Sequence, residues 1–300
     1  MNGGAADFAS KKYGGLHPPL IERLFDEESR KRGDGRETDK AVKNKLHMIY
    51  GAYLNASSNK KIAGIVDGLY KICGGAGREN EGGPDPSGYA GKLAETPDNF
   101  AANCNEKIAG MLREAMSAHA STRERLPNIA EFYGVVFGAA GRAETLLDLG
   151  CGCNPYALGW MPRNEIKRYF ACDVDAGLIG TINRLFAFFG LPKDAFCADL
   201  AAEGQYGFFP PGGFDLVFML KLIPVLEAQS KGRGYAPLDE IDAKHFACSF
   251  PVKTLGGRDR GFEASHSAAF EENIAKRGEK FKITLKRRIG SELLYIVAKG

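Results

Sequence analysis

The segment Thr145-Leu146-Leu147-Asp148-Leu149-Gly150-Cys151-Gly152-Cys153-Asn154-Pro155 constrains the fold of this chain more than any other. A mainly apolar run, Thr145 to Leu149, reads as a strand of a parallel sheet, because a strand buried on both faces loses the usual apolar–polar alternation. The run stops at two glycines spaced Gly-x-Gly, with Asp148 two residues before the first. Glycines at that point let the turn adopt dihedrals closed to other residues and let a ligand come close to the backbone. Nucleotide-like ligands need such a turn. No Lys-Ser/Thr follows, so the loop is not a P-loop, and Asn154-Pro155 replaces the third glycine of a dinucleotide fingerprint.

Three further runs extend the pattern. Tyr169 to Asp173 is a short apolar stretch ending in a carboxylate, 23 positions after Gly150. An acid about 20 residues past a glycine loop falls at the tip of the next strand, where it can accept both hydroxyls of a ribose. The plainer reading of Asp173 is a solvated strand end. Ala195 to Ala198 leads into Asp199-Leu200, and Phe214 to Leu220 leads into Lys221; Leu178 to Phe189 is apolar at helical spacing. Strand–helix alternation of this kind predicts a doubly wound parallel sheet with its ligand beyond the carboxyl ends of the strands. The loop and its acids resemble the cofactor site of S-adenosylmethionine-dependent methyltransferases. That resemblance implies an α/β, class I (Rossmann-like, seven-stranded) fold.

Length and composition set outer limits. Three hundred residues suit one catalytic domain plus an extension. No apolar stretch approaches the roughly 20 residues of a membrane span, and the start, Met1-Asn2-Gly3-Gly4, lacks a basic-then-apolar signal. Seven cysteines without a Cys-x-x-Cys pair point to reduced thiols and a cytoplasmic protein. Cys151 and Cys153, one residue apart and with no Cys/His pair nearby, do not make a zinc site, and no metal is expected. The net charge of +3 is unevenly placed. Residues 1–80 carry 14 basic against 10 acidic residues, 251–300 carry 11 against 6, and 81–250 carry 15 against 21. Basic ends around an acidic middle suit a polyanion gripped outside the cofactor pocket; ordinary solvated helix surface is the alternative.

Residues 1–140 read as a helical N-terminal extension, and 141–300 as the cofactor-binding domain. The spacing predicts helices over Pro18–Arg30, from an N-cap at Thr38 to about Tyr53, over Lys60–Ile72, over Glu106–His119 and over Arg123–Phe137. The Gly/Pro-rich stretch 74–103 reads as a flexible loop. After Leu220 come a helix over Ile223–Gln229, a loop over Lys231–Pro237 and a strand over His245–Phe250. A terminal antiparallel pair, Phe281–Leu285 and Leu293–Val297, is joined through Ile289-Gly290-Ser291. Lys253, Arg258 and Arg260 lie in a glycine-punctuated loop suited to holding phosphates.

A set of short blocks narrows the resemblance. They are Ser10-Lys11-Lys12-Tyr13, Leu46-His47 with Gly51-Ala52-Tyr53, His119 to Leu126, Asp148 to Pro155, Lys221-Leu222-Ile223-Pro224, Ser249-Phe250-Pro251 with Leu255-Gly256-Gly257-Arg258, and Ile289 to Leu293. Together, in this order, they resemble the Arm/Rmt-type aminoglycoside-resistance 16S rRNA (guanine-1405 N7) methyltransferases over nearly the whole chain. Segment 74–103 departs from that family in its length. The resemblance implies methyl transfer from S-adenosylmethionine to N7 of guanine 1405 in the decoding site of the 30S subunit, by a monomer that engages neither DNA nor membrane. It implies that His119, Ala120, Ser121 and Arg125 meet the methionine end of the cofactor and that Gly150 faces it. Asp173 would hold the ribose, Asp199 and Leu200 the adenine, while Leu220 and Gln229 close the pocket.

The chemistry agrees with such a target. Guanine N7 has an in-plane lone pair and no proton, so alignment with a sulfonium methyl suffices and no general base is required. Lys221 is a candidate for positioning the base or contacting RNA phosphate, with a surface lysine as the alternative. His119 reads as a structural residue holding its loop, and Cys248 as a buried strand thiol. Lys11, Lys12, Arg30, Lys31 and Arg32, with Lys253, Arg258 and Arg260, are the expected rRNA contacts. Three other readings stay open: methylation of another RNA site, of a small molecule, or RNA binding without catalysis. An apolar extension lining the pocket would favour the small molecule; the basic one here does not.

Overall fold

The computed structural model describes residues 13–51, 56–72, 106–163, 165–209, 213–252 and 262–300. A seven-stranded sheet runs in the order β3-β2-β1-β4-β5-β7-β6. Its strands are β1 (Thr145–Leu149), β2 (Arg168–Asp173), β3 (Ala195–Cys197), β4 (Phe214–Leu220), β5 (Ala243–Pro251), β6 (Phe281–Ile289) and β7 (Glu292–Lys299). The first five are parallel, and β7 inserts antiparallel between β5 and β6. Strand order reverses between β1 and β4, which makes the carboxyl end of that pair the topological switch point, where open α/β sheets bind ligands.

Nine further segments form α-helices among the described residues before β5: α1 (Pro18–Arg32), α2 (Arg36–Leu46), α3 (Ala56–Ile72), α4 (Glu106–Ser117), α5 (Ala120–Arg125), α6 (Ile129–Ala140), α7 (Ala176–Phe188), α8 (Leu222–Gln229) and α9 (Ala236–Glu240); α10 (Phe262–Ala275) follows β5. Leu146, Leu216 and Ile296 on one face of the sheet share a core with Val66 and Leu69 of α3, Leu112 and Met116 of α4, Phe132 and Tyr133 of α6 and Phe186 of α7. Leu147, Leu149, Val217 and Phe246 on the other face pack with Leu226 of α8, Leu238 of α9 and Phe270 of α10. Both faces are covered, which is why β1 and β4 read as near-continuous apolar runs. The division at residue 140 is therefore not a division of the core. Among the described residues, α1, α2 and the segment before them build a separate cluster, from Tyr13, Leu16, Leu20, Ile21, Leu24, Phe25, Val42 and Leu46.

Several local expectations are corrected. Thr38 is not an N-cap: it lies inside α2, buried, and its hydroxyl donates to the Gly33 carbonyl at 2.5 Å. The helix stops at Leu46 and a π turn covers His47–Gly51. The helix expected over Arg123–Phe137 is two helices separated by a 3-10 turn, Leu126–Asn128, because Pro127 cannot supply the N–H that a continuous helix needs. Helix α9 occupies the end of the stretch read as a loop, with Pro237 in its first turn. Segment 74–103 lies outside the described residues. Among the described residues no helix is long and apolar enough to cross a membrane.

Candidate active site

A cleft of about 960 Å³, its solvent mouth included, opens at the switch point. That size is suited to a nucleoside-bearing ligand, since such pockets run from about 300 to 1,000 Å³. Its walls bring together His119, Ser121, Arg125, Gly150, Asp173, Asp199, Leu200, Leu220, Lys221 and Gln229, residues spread over more than a hundred positions of sequence. Ala120, buried at the first position of α5, is not among the lining residues; its neighbours His119, Ser121 and Thr122 form that part of the wall.

The glycine loop is held by the acid at the tip of β2. Asp173 Oδ2 accepts the Gly152 N–H at 2.9 Å, and Oδ1 accepts those of Val174 at 2.7 Å and Asp175 at 3.2 Å. Asp173 is therefore not a solvated cap. Three of a carboxylate's roughly four acceptor positions are used, which leaves about one for a ribose hydroxyl where two had been expected. Burial pushes its pKa up, against the lowering effect of the Gly152 N–H and its neighbours. Gly150 and Gly152 both sit at positive φ, +61° and +48°. A Cβ on Gly152 would lie 2.8 Å from His119 Nε2, and one on Gly150 would lie 2.8 Å from the Leu222 side chain. The imidazole thus packs on the bare backbone of the loop. Burial first, then the charges of Arg125, Lys221 and Arg123, hold its pKa down to about 3.

Behind the loop runs a chain of buried polar groups that motif reading did not anticipate. Arg125 donates through Nε and Nη2 to the two oxygens of Glu292, each at 3.0 Å, and through Nη1 to Asn154 Oδ1 at 2.8 Å. Its guanidinium also lies 4.4 Å from the centroid of the Phe132 ring. Tyr133 donates to the same Asn154 oxygen. Asn154 Nδ2 and the Tyr169 hydroxyl both donate to Asp148 Oδ2 at 2.8 Å. Glu292 accepts in addition from the Ser249 hydroxyl at 2.8 Å. Burial alone would raise the Glu292 pKa, but the charges of Arg125 and Lys221 outweigh it and hold it below the usual range. Burial raises Asp148 to about 7, with Asn154 and Tyr169 opposing. Asn154 was visible only as a departure from a glycine motif, and Glu292 only as a letter in a family block.

Lys221 is not a surface lysine. It lies 8% exposed, and its Nζ is 2.6 Å from Glu124 and 3.6 Å from Glu292. Its φ of +57° makes it the only non-glycine at positive φ among the described residues. Such a conformation costs on the order of 1–3 kcal/mol and persists where the surroundings impose it. Here the Ser249 carbonyl and hydroxyl both accept its N–H, at 3.0 and 3.2 Å. Cys248 is a buried thiol, and burial raises its pKa.

The N-terminal segment reaches the cleft too. Leu20, Ile49 and Tyr50 line it, and Arg23 of the same helix as Leu20 bonds the lining residues Asp199 and Gln229, so the extension brings both apolar side chains and a cation to the pocket. Net charge reports the solvent side of an amphipathic helix and is silent about the packed side. Arg30, Lys31 and Arg32 form the exposed last turn of α1, where Lys31 and Arg32 pair with Glu28 at 3.4 and 2.8 Å. Lys11, Lys12, Lys253, Arg258 and Arg260 lie outside the described residues.

Comparison with known proteins points one way. The sequence model of the family described as "Ribosomal RNA methyltransferase (FmrO)" matches residues 84–296. The chain is 31% identical over 291 residues to the 16S rRNA (guanine(1405)-N(7))-methyltransferase of Micromonospora echinospora, covering 97% of this chain and 93% of that one. It is 34% identical to the Frankia casuarinae enzyme of the same name, covering 97% and 90%. Among solved structures it is similar to the 16S rRNA methyltransferase RmtF in complex with S-adenosyl-L-homocysteine, with a TM-score of 0.75, 26% identity and full coverage of both chains. The 16S rRNA methylase RmtB follows at a TM-score of 0.71 and 26% identity, covering 100% of this chain and 98% of that one. With a class I sheet, a cleft at its switch point and relatives matching from end to end, this chain belongs to the ribosomal RNA methyltransferase (FmrO) family, in its Arm/Rmt-type branch.

Proposed function

We propose that this chain methylates N7 of guanine 1405 in 16S rRNA, with S-adenosylmethionine as methyl donor, and so confers aminoglycoside resistance. It acts on the assembled 30S subunit, as a monomer, in the cytoplasm. One observation carries the reading beyond family membership: the cleft gathers recognition groups, Asp148, the lining acid raised to about 7, is occupied by Asn154 and the Tyr169 hydroxyl, and His119, the only imidazole lining it among the described residues, is held at a pKa of about 3. A group that acidic is a poor proton acceptor at neutral pH. Guanine N7 needs none.

The residues present fit the cofactor. Bound S-adenosylmethionine supplies an electrophilic methyl group on a sulfonium. Asp173, its own orientation fixed by three backbone N–H groups, offers its remaining acceptor position to the ribose. Asp199 and Leu200 hold the adenine, with Leu220 and Gln229 closing that side. His119, Ser121 and Arg125 hold the methionine end, Arg125 as a cation whose position is set by Glu292 and Asn154. Gly150 and Gly152, both at positive φ, give the loop its tight turn and leave room for His119 and Leu222 to pack directly on its backbone. Lys221, poised between Glu124 and Glu292 on the cleft wall, positions the target base. Catalysis then consists of alignment and exclusion of water. Docking on rRNA falls to the basic end of α1 and to Lys11, Lys12, Lys253, Arg258 and Arg260, through phosphate contacts.

The test is incubation with 30S subunits and labelled S-adenosylmethionine, followed by borohydride/aniline cleavage and primer extension. A single stop reporting guanine 1405, absent with free 16S rRNA, is the expected result. Methylation at another nucleotide, or of free rRNA equally well, would overturn the proposal.

A further inference from the structure

One contact ties the N-terminal extension to the adenine end of the cleft. Arg23, on α1, reaches across to the loop after β3 and the end of α8. Its Nε donates to Asp199 Oδ2 at 2.6 Å, and its Nη2 donates to Asp199 Oδ1 at 3.0 Å and to Gln229 Oε1 at 2.9 Å. Its third nitrogen, Nη1, pairs with Glu27 one turn along α1 at 2.6 Å. All of the guanidinium's nitrogens are thus engaged, on a side chain only 16% exposed.

We infer that Arg23 is a positioning residue of the cofactor pocket, which sets the orientation of Asp199 for recognition of the adenine amino group and holds Gln229 beside it. The inference rests on the reading that Asp199 faces the adenine. A bidentate arginine fixes the plane of a carboxylate. Asp199 Oδ1 is used by Arg23 Nη2 and by the Ala201 N–H at 3.2 Å, and Oδ2 by Arg23 Nε. About one acceptor position, on Oδ2, remains for an incoming N–H donor. The same guanidinium holds the Gln229 carbonyl oxygen, and the Gln229 amide nitrogen donates to the Val225 carbonyl at 3.3 Å, so this side chain is fixed at both ends. Without Arg23 the two side chains would lose their common anchor, and Asp199 would stand as a buried carboxylate without its cation.

The surrounding backbone makes the arrangement rigid. His17 N donates to the Val174 carbonyl at 2.7 Å and Ala176 N to the Gly15 carbonyl at 2.8 Å. The segment entering α1 is therefore bonded to the residues directly after Asp173. Leu20, one turn before Arg23, lines the cleft. Helix α1 is a wall of the cofactor site, and its placement enters cofactor specificity through Arg23.

The experiment compares Arg23→Gln, Arg23→Lys, Asp199→Ala and the Arg23→Gln/Asp199→Ala double variant of the full chain. Calorimetric titration uses S-adenosylhomocysteine and its 6-oxo analogue, S-inosylhomocysteine, which lacks the amino group. Wild type should favour the adenosyl compound. Arg23→Gln should raise its Kd by at least tenfold and shrink the preference over the inosyl compound, with Arg23→Lys intermediate. The double variant should bind no worse than Asp199→Ala alone, because Arg23 acts through Asp199. A merely structural Arg23 would weaken both ligands equally and leave the ratio unchanged, which overturns the inference. Should Asp199→Ala itself leave Kd and ratio unchanged, the underlying adenine reading fails. If Asp199→Ala is impaired and Arg23→Gln is not, only the inference about Arg23 fails.

Discussion

Glu292→Ala should cost this protein about 3–5 kcal/mol of stability, the range seen when one partner of a buried ion pair is removed. The geometry places the change at the severe end of such substitutions. Both Arg125 and Glu292 are 2% exposed and share two hydrogen bonds of 3.0 Å. In the variant the guanidinium keeps the Asn154 oxygen and the Phe132 ring but loses its only carboxylate among those contacts. The reverse change, Arg125→Glu, would set two carboxylates face to face, so it damages the fold and cannot by itself report on cofactor binding. The double variant Arg125→Met/Glu292→Leu should recover most of the loss, because well-packed apolar residues often replace a buried pair without penalty. Recovery stays incomplete, since the Ser249 hydroxyl loses its acceptor. Denaturant titration of wild type, Arg125→Met, Glu292→Leu and the double variant gives the coupling, with Glu292→Ala measured beside them. S-adenosylmethionine affinity, measured in parallel, should stay weak in the stable double variant if Arg125 also holds the methionine carboxylate. A loss below about 1 kcal/mol in Glu292→Ala, or a double variant as unstable as the two singles summed, refutes the reasoning.

Asp173→Ala should weaken S-adenosylmethionine binding by more than tenfold and loosen the glycine loop, since it orphans the Gly152, Val174 and Asp175 N–H groups; unchanged affinity in calorimetry would count against a ligand role. Gly152→Ala should destabilise more than Gly150→Ala, roughly 2–3 against about 1 kcal/mol, because the new methyl meets the His119 ring in one case and a flexible leucine tip in the other; the reverse order in denaturant titration would contradict this packing. Asp148 has a folded pKa of about 7 against an ordinary 3.8, so the folded state binds more protons between those values and stability falls as pH rises across that window. Asp148→Asn should remove that slope, gaining on the wild type by on the order of a few kcal/mol between pH 4 and pH 8; equal slopes would show that Asp148 keeps an ordinary pKa. Neutralising Arg30, Lys31 and Arg32 should weaken 30S binding and reduce its log–log salt slope by roughly one unit per lost phosphate contact, with cofactor affinity intact; an unaltered slope removes this turn from the docking surface.

How far the sequence reads depends on how local each cause is. The strands β1, β2 and β4, the glycine turn and the acids at the strand tips follow from short apolar runs and from dihedrals that only glycine adopts cheaply, so residues 145–173 announce themselves. The Pro127 break is equally local, yet periodicity runs across it and conceals it. Helix α9 is too short to show a period. The site's polar framework has no local cause at all. Arg125 meets Glu292 across 167 positions, and Arg23 meets Asp199 across 176; nothing in either neighbourhood predicts the partner. The αL conformation of Lys221 likewise comes from Ser249 on the adjacent strand, and the apolar wall of Leu20, Ile49 and Tyr50 is invisible in a charge count. By itself the sequence determined the sheet, its ligand edge and the family, because backbone sterics and apolar burial act between near neighbours. Which buried charges face one another was decided only by the tertiary structure, because their pairing depends on distances that exist once the sheet has brought its strand ends and the N-terminal helices together.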